Sequence, residues 1–382
     1  MRGVALLGCT GSIGRSALAV LGRHADEFRI VALAAHRSAP ELAALCRAHR
    51  PALAVLVDEE CANGTRFDGV RLATGSDALL AAATHPDVDI VINAVVGAAG
   101  LAATIAALRA GKRLALANKE SLVAGGPLVL DALATGAGEL VPIDSEHSAI
   151  LQCMADTPRE RVRRLVLTAS GGPFRDWPGI RVATATPAEA LQHPTWDMGA
   201  KVTVDSATLA NKALEVIEAH FLFGMPYDAI DAVVHPQSII HSMVEMTDGS
   251  VLAQLGFPTM ELPILYALTW PERRPDTGTP RFDPVRAGAL TFEAIDDERF
   301  PTFRLGCEAG RAGGTAPAVF NAANEVAVAA FLGGRLPFGG IAETIERVLA
   351  QHVPERVDTL ESVHAADRAA RTAAEQSLKA SC

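Results

Sequence analysis

A glycine-rich loop directly after the first apolar run is the feature that most limits how this chain can fold. Val4–Leu7 is a short uninterrupted apolar run, typical of a fully buried strand. Gly8-Cys9-Thr10-Gly11-Ser12-Ile13-Gly14 follows at once and opens a helical pattern. Such glycines let the backbone turn tightly and approach a pyrophosphate at the helix N-terminus. The loop predicts a dinucleotide-binding βαβ unit, with a plain tight turn as the alternative, since Gly-x-x-Gly-x-x-Gly is a variant of the usual fingerprint.

The end of the second predicted strand indicates which dinucleotide is bound. After the strand Phe28–Ala34 comes Ala35-His36-Arg37-Ser38, where NAD-binding proteins usually carry an acid for the ribose 2′-hydroxyl. A cation at this place favours a 2′-phosphate, so we expect NADPH, with Arg37 and Ser38 as its contacts. Ser38-Ala39-Pro40-Glu41 also fits a helix capping box, and the two roles are compatible.

Helix and strand patterns then alternate as far as residue 143. Predicted strands cover Leu53–Val57, Asp89–Val95 and Arg113–Ala117, with helical segments between them. This alternation predicts an α/β fold with a Rossmann-like doubly wound sheet, an NADPH-binding domain at residues 1–143. Asn118-Lys119-Glu120-Ser121 follows a strand end, where such sheets bind ligands, so Lys119 either serves the site or is a solvated surface charge.

The apolar run Leu140–Ile143 ends abruptly in Asp144-Ser145-Glu146-His147. If the run is a strand, alternation places the carboxylates of Asp144 and Glu146 on one side, about 7 Å apart. Two such carboxylates repel each other unless a cation lies between them, which suggests a metal site. The alternative is a helix N-terminus with Asp144 or Ser145 as its cap.

A group of phosphate-binding side chains is predicted further along the chain. We expect a strand at Lys201–Val204, followed by a cap at Asp205-Ser206 and a long helix. Near the helix start, Ser206, Asn211 and Lys212 offer hydroxyl, amide and ammonium donors beside the positive end of the helix dipole. These donors suit a substrate phosphate.

Glu215 lies four residues after Asn211 on the same helical face and can supply a third carboxylate to Asp144 and Glu146. Three carboxylates without histidine or cysteine ligands favour a hard divalent cation, Mg²⁺ or Mn²⁺, over zinc, with Co²⁺ as a further candidate. Such an ion can polarise adjacent oxygens of a phosphorylated hydroxy-ketone or sugar.

Two loops between these segments carry further candidates. Ser170-Gly171-Gly172-Pro173-Phe174 is a glycine turn with a hydroxyl, and His193–Gly199 places Trp196 and Met198 between a proline and a glycine. Large apolar side chains in such a loop predict a lid that closes over a ligand. A satellite apolar cluster beneath the loop is the alternative.

The remaining chain divides into three predicted regions. Short strands after residue 230 complete a central α+β catalytic domain at residues 144–270, and residues 271–299 form a proline-rich linker. Only helical patterns remain at residues 300–382, which predicts a C-terminal helical bundle.

Composition argues against several classes of partner. The 382-residue chain has a net charge of -10 and no block of Lys or Arg, so we expect neither nucleic acid nor an anionic membrane as a partner. We find no apolar stretch long enough to span a bilayer, and the first apolar run reads as a buried strand rather than a signal segment. Six scattered cysteines indicate reduced thiols of a cytoplasmic protein: Cys9, Cys46, Cys61, Cys153, Cys307 and Cys382.

Seven motifs, taken in order, resemble those of the 1-deoxy-D-xylulose 5-phosphate reductoisomerase family. The resemblance runs over nearly the whole chain, and several of the motifs are individually specific. The matching segments are Gly8–Gly14, Ala117–Ser121, Asp144–His147, Ser170–Phe174, His193–Gly199, Asp205–Thr208 with Asn211–Glu215, and His235–Ser238.

The resemblance implies a function and a set of site residues. It implies a homodimeric enzyme that uses NADPH and a divalent metal to rearrange and reduce 1-deoxy-D-xylulose 5-phosphate to 2-C-methyl-D-erythritol 4-phosphate, in the non-mevalonate route to isoprenoid precursors. The implied metal ligands are Asp144, Glu146 and Glu215. The implied substrate contacts are Ser170, Ser206, Asn211 and Lys212 for the phosphate, and Lys119, Ser145 and His193. The implied NADPH contacts are Thr10, Gly11, Ser12, Ile13, His36, Arg37, Ser38, Asn118, Glu120 and Gly199.

The same resemblance leaves some roles open. Lys119, Glu146 and His193 are the candidate catalytic residues, without an assignment of each proton transfer, and Trp196 with Met198 forms the flap. Cys9, His36 and Glu261 differ from the residues expected in the family, which puts the adenosine-side geometry and one local contact in doubt.

Two rival functions share part of the pattern. Another NADP-dependent dehydrogenase of a phosphorylated hydroxy-ketone would share the first domain, and a non-catalytic NADPH-sensing protein would share the fold. Neither needs the Asp-x-Glu pair, the flap and a third carboxylate together.

Overall fold

The computed structural model describes residues 1–62, 64–155 and 157–380, which leaves Cys382 outside the described residues. The strands are β1 (Arg2–Leu7), β2 (Phe28–Ala35), β3 (Leu53–Leu56), β4 (Arg71–Thr74), β5 (Ile90–Asn93), β6 (Arg113–Leu116), β7 (Glu139–Pro142), β8 (Val162–Ala169), β9 (Ile230–Val234), β10 (Ile240–Met246), β11 (Val251–Leu255) and β12 (Glu293–Ala294). The helices are α1 (Ser12–Arg23), α2 (Ala39–His49), α3 (Ser76–Ala83), α4 (Gly100–Arg109), α5 (Lys119–Thr135), α6 (Ser145–Met154), α7 (Gly179–Val182), α8 (Pro187–Ala190), α9 (Ala200–Ala207), α10 (Ala210–Phe223), α11 (Glu261–Thr269), α12 (Pro284–Ala287), α13 (Pro301–Ala312), α14 (Ala316–Leu332), α15 (Gly339–Ala350) and α16 (Leu360–Ala380).

The chain divides into two compact units. The first contains Met1–Ser121, Leu128–Ser148 and Thr259–Pro280, and the second contains Leu122–Pro127, Ala149–Pro258 and the described residues from Arg281 onward. Residues 259–280 thus belong to the first unit, to which the chain returns after passing through the second. The sequence pattern does not reveal this return. The predicted functional boundaries at residues 143, 270 and 299 stay a prediction.

The first unit is built on a seven-stranded sheet in the order β4-β3-β2-β1-β5-β6-β7, and every neighbouring pair is parallel. The apolar run Val4–Leu7 is completely buried in β1, as a central strand covered on both faces requires. The predicted doubly wound α/β sheet is therefore confirmed. The edge strand β4 escaped prediction because its residues are partly or largely exposed and lack a buried apolar run.

The glycine loop sits where the strand order of this sheet reverses, between β1 and its neighbour β5. Gly8 has a φ of +89°, and a Cβ on it would lie 2.3 Å from the carbonyl oxygen of Ala94. A Cβ on Gly14 would lie 2.3 Å from the carbonyl oxygen of Gly8. A side chain at Gly8 would collide with the backbone after β5, and one at Gly14 would push α1 away from the end of β1, so the loop needs glycine at both positions.

The returning segment is held against α1 by a cluster of charges. Arg23 donates from Nε to Asp276 Oδ1 at 2.7 Å and from Nη2 to Glu261 Oε2 at 2.6 Å. The side chain of Asp276 is only 4% exposed, and its hydrogen bond from Arg23 lowers the pKa of its carboxyl to about 2. Glu261, which departs from the expected family pattern, therefore has a well-placed cationic partner within its own unit.

The second unit contains a mixed five-stranded sheet in the order β11-β10-β8-β9-β12. Only the β8–β9 pair is parallel among the described pairs of this sheet. Val216 and Ala219 of α10 pack with Leu165 and Leu167 of β8 in an apolar cluster beneath this sheet. α10 is thereby fixed against the sheet, which matters because it carries three of the predicted site residues.

The predicted strand at Lys201–Val204 is wrong, because these residues form the first half of α9. Three β-branched residues suggested a strand. The helix wins because Lys201 and Asp205 pair across one turn and because Thr203, Val204 and Ala207 bury a common face. Leu209, with a φ of +58°, then separates α9 from α10.

The C-terminal region is helical, as predicted from its sequence. Helices α13–α16 and other parts of the second unit contribute to one apolar cluster. These four helices contribute Leu305, Phe320, Ile345 and Ala374, among others. Among the described residues, no helix is both long and apolar enough to cross a membrane. The five cysteines in the described part of the chain are free thiols.

Candidate active site

The acidic stretch after β7 is a helix start, not a continued strand. Asp144 Oδ1 accepts hydrogen bonds from the backbone N–H of Glu146 at 3.0 Å and of His147 at 3.2 Å, which makes Asp144 the cap of α6. The argument from strand alternation therefore fails, and the capping alternative is confirmed. Both carboxylates nevertheless lie at the first turn of α6, where the helix dipole stabilises negative charge.

Lys119 lies at the first position of α5, and its ammonium donates to Asp144 Oδ2. The Lys119 side chain is only 15% exposed, so the reading as a solvated surface charge is wrong. Ser145 donates from Oγ to Glu146 Oε2 at 2.6 Å. The first unit thus brings together two predicted metal ligands and two predicted substrate contacts around one helix start.

Asn118 joins the two loops that follow β5 and β6. Its Oδ1 accepts from the backbone N–H of Ser121 at 3.1 Å and so caps α5, which begins earlier than the sequence indicated. Its Nδ2 lies 2.8 Å from the carbonyl oxygen of Val95, 2.9 Å from that of Gly97 and 2.8 Å from Glu120 Oε2. Asn118 is almost completely buried, so its side chain fixes the loop geometry beside Lys119.

The other predicted NADPH contacts of the first unit follow strand ends. Thr10–Ile13 lies between β1 and the first turn of α1, and His36–Ser38 follows β2 with all three residues exposed. Arg37 donates from Nε to Asp58 Oδ2 at 2.8 Å. The capping box expected at Ser38 is not formed: among the described residues, no side-chain hydrogen bond caps α2. Gly199, the last predicted contact, precedes α9 in the second unit.

In the second unit, His193 lies between two predicted phosphate residues. Its Nε2 is 3.0 Å from Ser170 Oγ and 3.2 Å from Ser206 Oγ. These residues come from three separate segments, the loop after β8, the loop after α8 and the last turn of α9. The structure therefore shows that the three side chains are neighbours, which sequence spacing alone could not establish.

The tautomer of His193 follows from its other ring nitrogen. Nδ1 accepts from the backbone N–H groups of Thr195 at 3.1 Å and Trp196 at 2.9 Å, so it carries no proton, and the neutral ring holds its proton on Nε2. Burial, reinforced by the charge of Arg175, lowers the pKa of His193 to about 4. His193 is thus a neutral donor toward Ser170 or Ser206 at physiological pH.

Glu215 and its predicted neighbours occupy the start of α10. Asn211 donates from Nδ2 to Glu215 Oε1, and the Lys212 ammonium donates to Glu215 Oε2. Lys212 and Glu215 are both buried, so each charge needs the other. Asn211 and Lys212 were expected to face a phosphate, and Glu215 was expected to hold a metal. In this structure the amide and the ammonium donate to the Glu215 carboxylate.

The predicted flap makes an aromatic contact. The ring of Trp196 lies 6.3 Å from the ring of His241, measured between centroids, and Met198 is half-buried. Thr203 donates from Oγ1 to the carbonyl oxygen of Gly199 at 3.0 Å, which anchors the C-terminal end of the loop to α9. Closure of this loop over a ligand stays a prediction.

Two contributors to this region were missed from the sequence. Arg175 donates from Nη1 to the carbonyl oxygen of Ser170 at 3.2 Å, and the only signal for it is a cation shortly after the glycine turn. Gly172 has a φ of +67°, and a Cβ on it would lie 2.6 Å from the carbonyl oxygen of Ser206. The glycine turn therefore allows the Ser170 loop to pack directly on the backbone of α9.

These features define a class of protein: a dinucleotide-binding α/β oxidoreductase with a separate set of donors for a small anionic substrate. Three family profiles match the chain. The profile described as 1-deoxy-D-xylulose 5-phosphate reductoisomerase matches residues 4–126, that of its C-terminal domain matches 140–223, and DXP reductoisomerase C-terminal domain matches 255–373. The chain belongs to the 1-deoxy-D-xylulose 5-phosphate reductoisomerase family.

Individual relatives cover the chain from end to end. It is 50% identical to the 1-deoxy-D-xylulose 5-phosphate reductoisomerase of Ralstonia nicotianae over 100% of this chain and 99% of that protein. The relative from Xanthomonas euvesicatoria is 51% identical, with 99% and 97% covered.

Solved structures of the family have the same fold. The Zymomonas mobilis enzyme in complex with NADPH has a TM-score of 0.90 and 44% identity, with 99% of each chain covered. A reductoisomerase in complex with NADPH, fosmidomycin and magnesium has a TM-score of 0.93 and 37% identity, with 99% of this chain and 98% of that chain covered.

The state of His193 gives a first prediction. NMR of protein labelled at the histidine rings should show one ring, absent from the spectrum of His193→Gln, that titrates near pH 4. The stability that neutral His193 contributes is complete above its ordinary pKa of 6.5 and is lost as the pH falls toward about 4, because the unfolded chain takes up the proton first. A His193 ring that titrates near 6.5 in the folded protein would contradict the lowered pKa.

Proposed function

We propose that the residues described above carry the reaction of the family in this chain. The chain is an oxidoreductase that converts 1-deoxy-D-xylulose 5-phosphate with NADPH and a divalent metal, in isoprenoid biosynthesis. The product is 2-C-methyl-D-erythritol 4-phosphate, formed by rearrangement and then reduction. Full-length similarity to named relatives at about half identity is the observation that carries this function.

The substrate phosphate binds to side chains of the second unit. The hydroxyls of Ser170 and Ser206 and the Nε2–H of His193 supply neutral donors, and Asn211 and Lys212 supply an amide and a charge. Support comes from the short distances within the Ser170, His193 and Ser206 group. Because His193 stays neutral, Lys212 is the principal positive charge offered to the phosphate by this set.

The metal ligands are Asp144, Glu146 and Glu215, with Mg²⁺ or Mn²⁺ as the preferred ion and Co²⁺ as a further candidate. Carboxylate oxygens are the ligands that such hard cations prefer, so the donor chemistry fits. When bound, the ion polarises substrate oxygens and NADPH supplies the hydride. Without a metal the acids are balanced locally, since Lys119 pairs with Asp144 and Lys212 with Glu215.

Three residues are candidates for moving or holding protons. Lys119 carries an ammonium held by Asp144, and Glu146 is a carboxylate that accepts from the Ser145 hydroxyl. His193 cannot act as a base through Nδ1, because two backbone N–H groups already donate to that atom. Its part is to orient hydroxyls and the phosphate, which leaves Lys119 and Glu146 for the transfers.

NADPH binds along the strand ends of the first unit. The first turn of α1 offers backbone N–H groups to the pyrophosphate, while Asn118 and Glu120 shape the wall beside Lys119. Gly199 joins this set by the family pattern. Arg37 takes the 2′-phosphate with Ser38, whose hydroxyl is not used to cap α2 in the described structure, and His36 lies next to them. Asp58 orients the Arg37 guanidinium through a salt bridge.

The chain forms a homodimer through β11, which is one of the two edge strands of the second sheet. Three apolar residues of this strand are unusually exposed, at 53% for Val251, 46% for Leu252 and 37% for Leu255. An apolar edge strand is a template for pairing with another strand, and proteins normally protect it with charge or a covering segment. A second copy would pair its own β11 here.

The enzyme works in the cytoplasm. Its five described cysteines are free, and burial raises the pKa of Cys9 and Cys307 to about 12, so these two thiols are poor nucleophiles. This pattern suits a reducing compartment, where thiols have no disulfide role.

The function is tested by NADPH oxidation with 1-deoxy-D-xylulose 5-phosphate, using protein treated with a chelator and resupplied with Mn²⁺ or Mg²⁺. We expect oxidation only with metal, and a branched polyol phosphate as product. Glu215→Gln should lower turnover more than about 100-fold, because even outer partners of metal ligands are worth 10- to 100-fold, and should leave NADPH affinity unchanged.

Glu218→Gln is the matched control, since Glu218 is also buried on α10, one turn further along. It should keep wild-type metal dependence. Wild-type turnover by Glu215→Gln would remove Glu215 from the metal site, and wild-type protein that binds NADPH but never turns over would contradict the proposed function itself.

Arg37→Ala should weaken NADPH binding about 10-fold or more and leave NADH binding nearly unchanged, because only NADPH carries the 2′-phosphate. Fluorescence titration with each nucleotide measures both affinities. Arg47→Ala, an exposed arginine of α2, serves as the control and should weaken neither nucleotide. Equal weakening of both nucleotides by Arg37→Ala would reject the 2′-phosphate contact.

Leu252→Lys should convert the dimer to a single chain of 40.0 kDa, because a charge on the paired edge must be desolvated. Sedimentation velocity gives the mass directly. Val285→Lys adds the same charge to a residue of α12 that is 89% exposed and should leave the dimer intact. A dimer that survives Leu252→Lys would place the interface elsewhere.

A further inference from the structure

A buried carboxylate next to the phosphate site has no role in the reaction described above. Asp205 of α9 is 1% exposed and directly precedes Ser206. Its Oδ2 lies 2.7 Å from Lys201 Nζ, and its Oδ1 accepts from Nδ2 of Asn324 at 2.8 Å. The two oxygens are thus held by different helices of the second unit, α9 itself and α14.

Asn324 is poorly explained by packing. It is completely buried in α14 among alanine, valine and phenylalanine, and its Oδ1 has no hydrogen-bond partner among the described residues. A buried amide with an unpaired oxygen is unfavourable compared with an apolar residue of the same size. Its Nδ2 donates a hydrogen bond that offsets this cost, and the acceptor is Asp205.

The charges around Asp205 also explain why residue 324 is an asparagine. Lys201 already balances the charge of Asp205, so a second cation would leave an excess of positive charge in the interior. An amide provides a donor without a charge. Asn324 therefore fixes the position of the carboxylate, whereas Lys201 fixes its charge.

We infer that Asn324 is a positioning residue for the substrate phosphate, an inference that rests on the proposed function of Ser206. Successive side chains on a helix differ in direction by about 100°, so Asp205 can face α14 while Ser206 faces His193. By holding Asp205, Asn324 sets the rotation of α9 about its axis and hence the place of Ser206 Oγ. The C-terminal helices thereby contribute to substrate affinity without touching the substrate.

The test compares two buried asparagines on one helix. Asn321 lies one turn before Asn324, is also completely buried, and donates to Glu325 instead of Asp205. Asn324→Leu should raise KM for 1-deoxy-D-xylulose 5-phosphate about 10-fold, with kcat changed less and NADPH affinity unchanged. Asn321→Leu should leave KM within about twofold of wild type. Equal KM values in the two variants would overturn the inference.

A double-mutant cycle with Ser206→Ala separates positioning from a general loss of stability. If Asn324 acts through Ser206, the KM effects of the two substitutions should not add, since removal of the hydroxyl leaves little for Asn324 to position. Fully additive effects would assign Asn324 a purely structural role and overturn the inference.

A swapped pair covers the case in which Asn324→Leu does not fold. Asp205→Asn combined with Asn324→Asp restores an amide-to-carboxylate hydrogen bond between α9 and α14. We expect this double variant to have a KM close to wild type, whereas Asn324→Asp alone, in which two carboxylates face each other without a donor, raises it. A double variant with KM no better than the single one would reject the role of this bond. Failure of the wild-type protein to turn over would instead be failure of the proposed function.

Discussion

Buried negative charge is the constraint around which the site is arranged. A carboxylate removed from water is strongly unfavourable unless donors surround it. Asp144 meets this requirement with two backbone N–H groups and Lys119, and Glu215 meets it with Asn211 and Lys212. Each acid is therefore held in place by its own unit before any ligand binds.

The same kind of pairing would link the proposed metal and phosphate binding in the second unit. Lys212 is the charge proposed for the substrate phosphate, yet here it balances Glu215. If Lys212 turns toward a phosphate, the buried carboxylate of Glu215 keeps its hydrogen bond from Asn211 but loses this cation, which is costly unless another cation takes its place. Binding of a divalent ion by Glu215 and of a phosphate by Lys212 would therefore favour each other. The ion would replace Lys212 as the partner of Glu215, and the phosphate would replace Glu215 as the partner of Lys212.

The sequence predicted the parts of this arrangement that depend on local pattern. Three features could be predicted: the apolar run before Gly8, the alternation of strands and helices, and the helical C-terminal region. In each case burial determines the spacing of apolar residues along the sequence. The helical state of Lys201–Val204 was not visible, since the burial of one face overrides β-branched propensity there. The contact of His193 with Ser206 and the return of residues 259–280 are tertiary facts that spacing along the chain does not encode.

The glycine loop also depends on contacts far from it in sequence. α1 begins at the loop and ends at Arg23, whose guanidinium is bound by Asp276 and Glu261 of the returning segment. A short helix is nearly rigid, so fixing its last turn restricts where its first turn can lie. Glu261 differs from the residue expected in the family, but as an acid it pairs with Arg23. The altered residue thus has a partner in the same unit. Through Arg23 it helps to hold α1, which begins at the glycine loop.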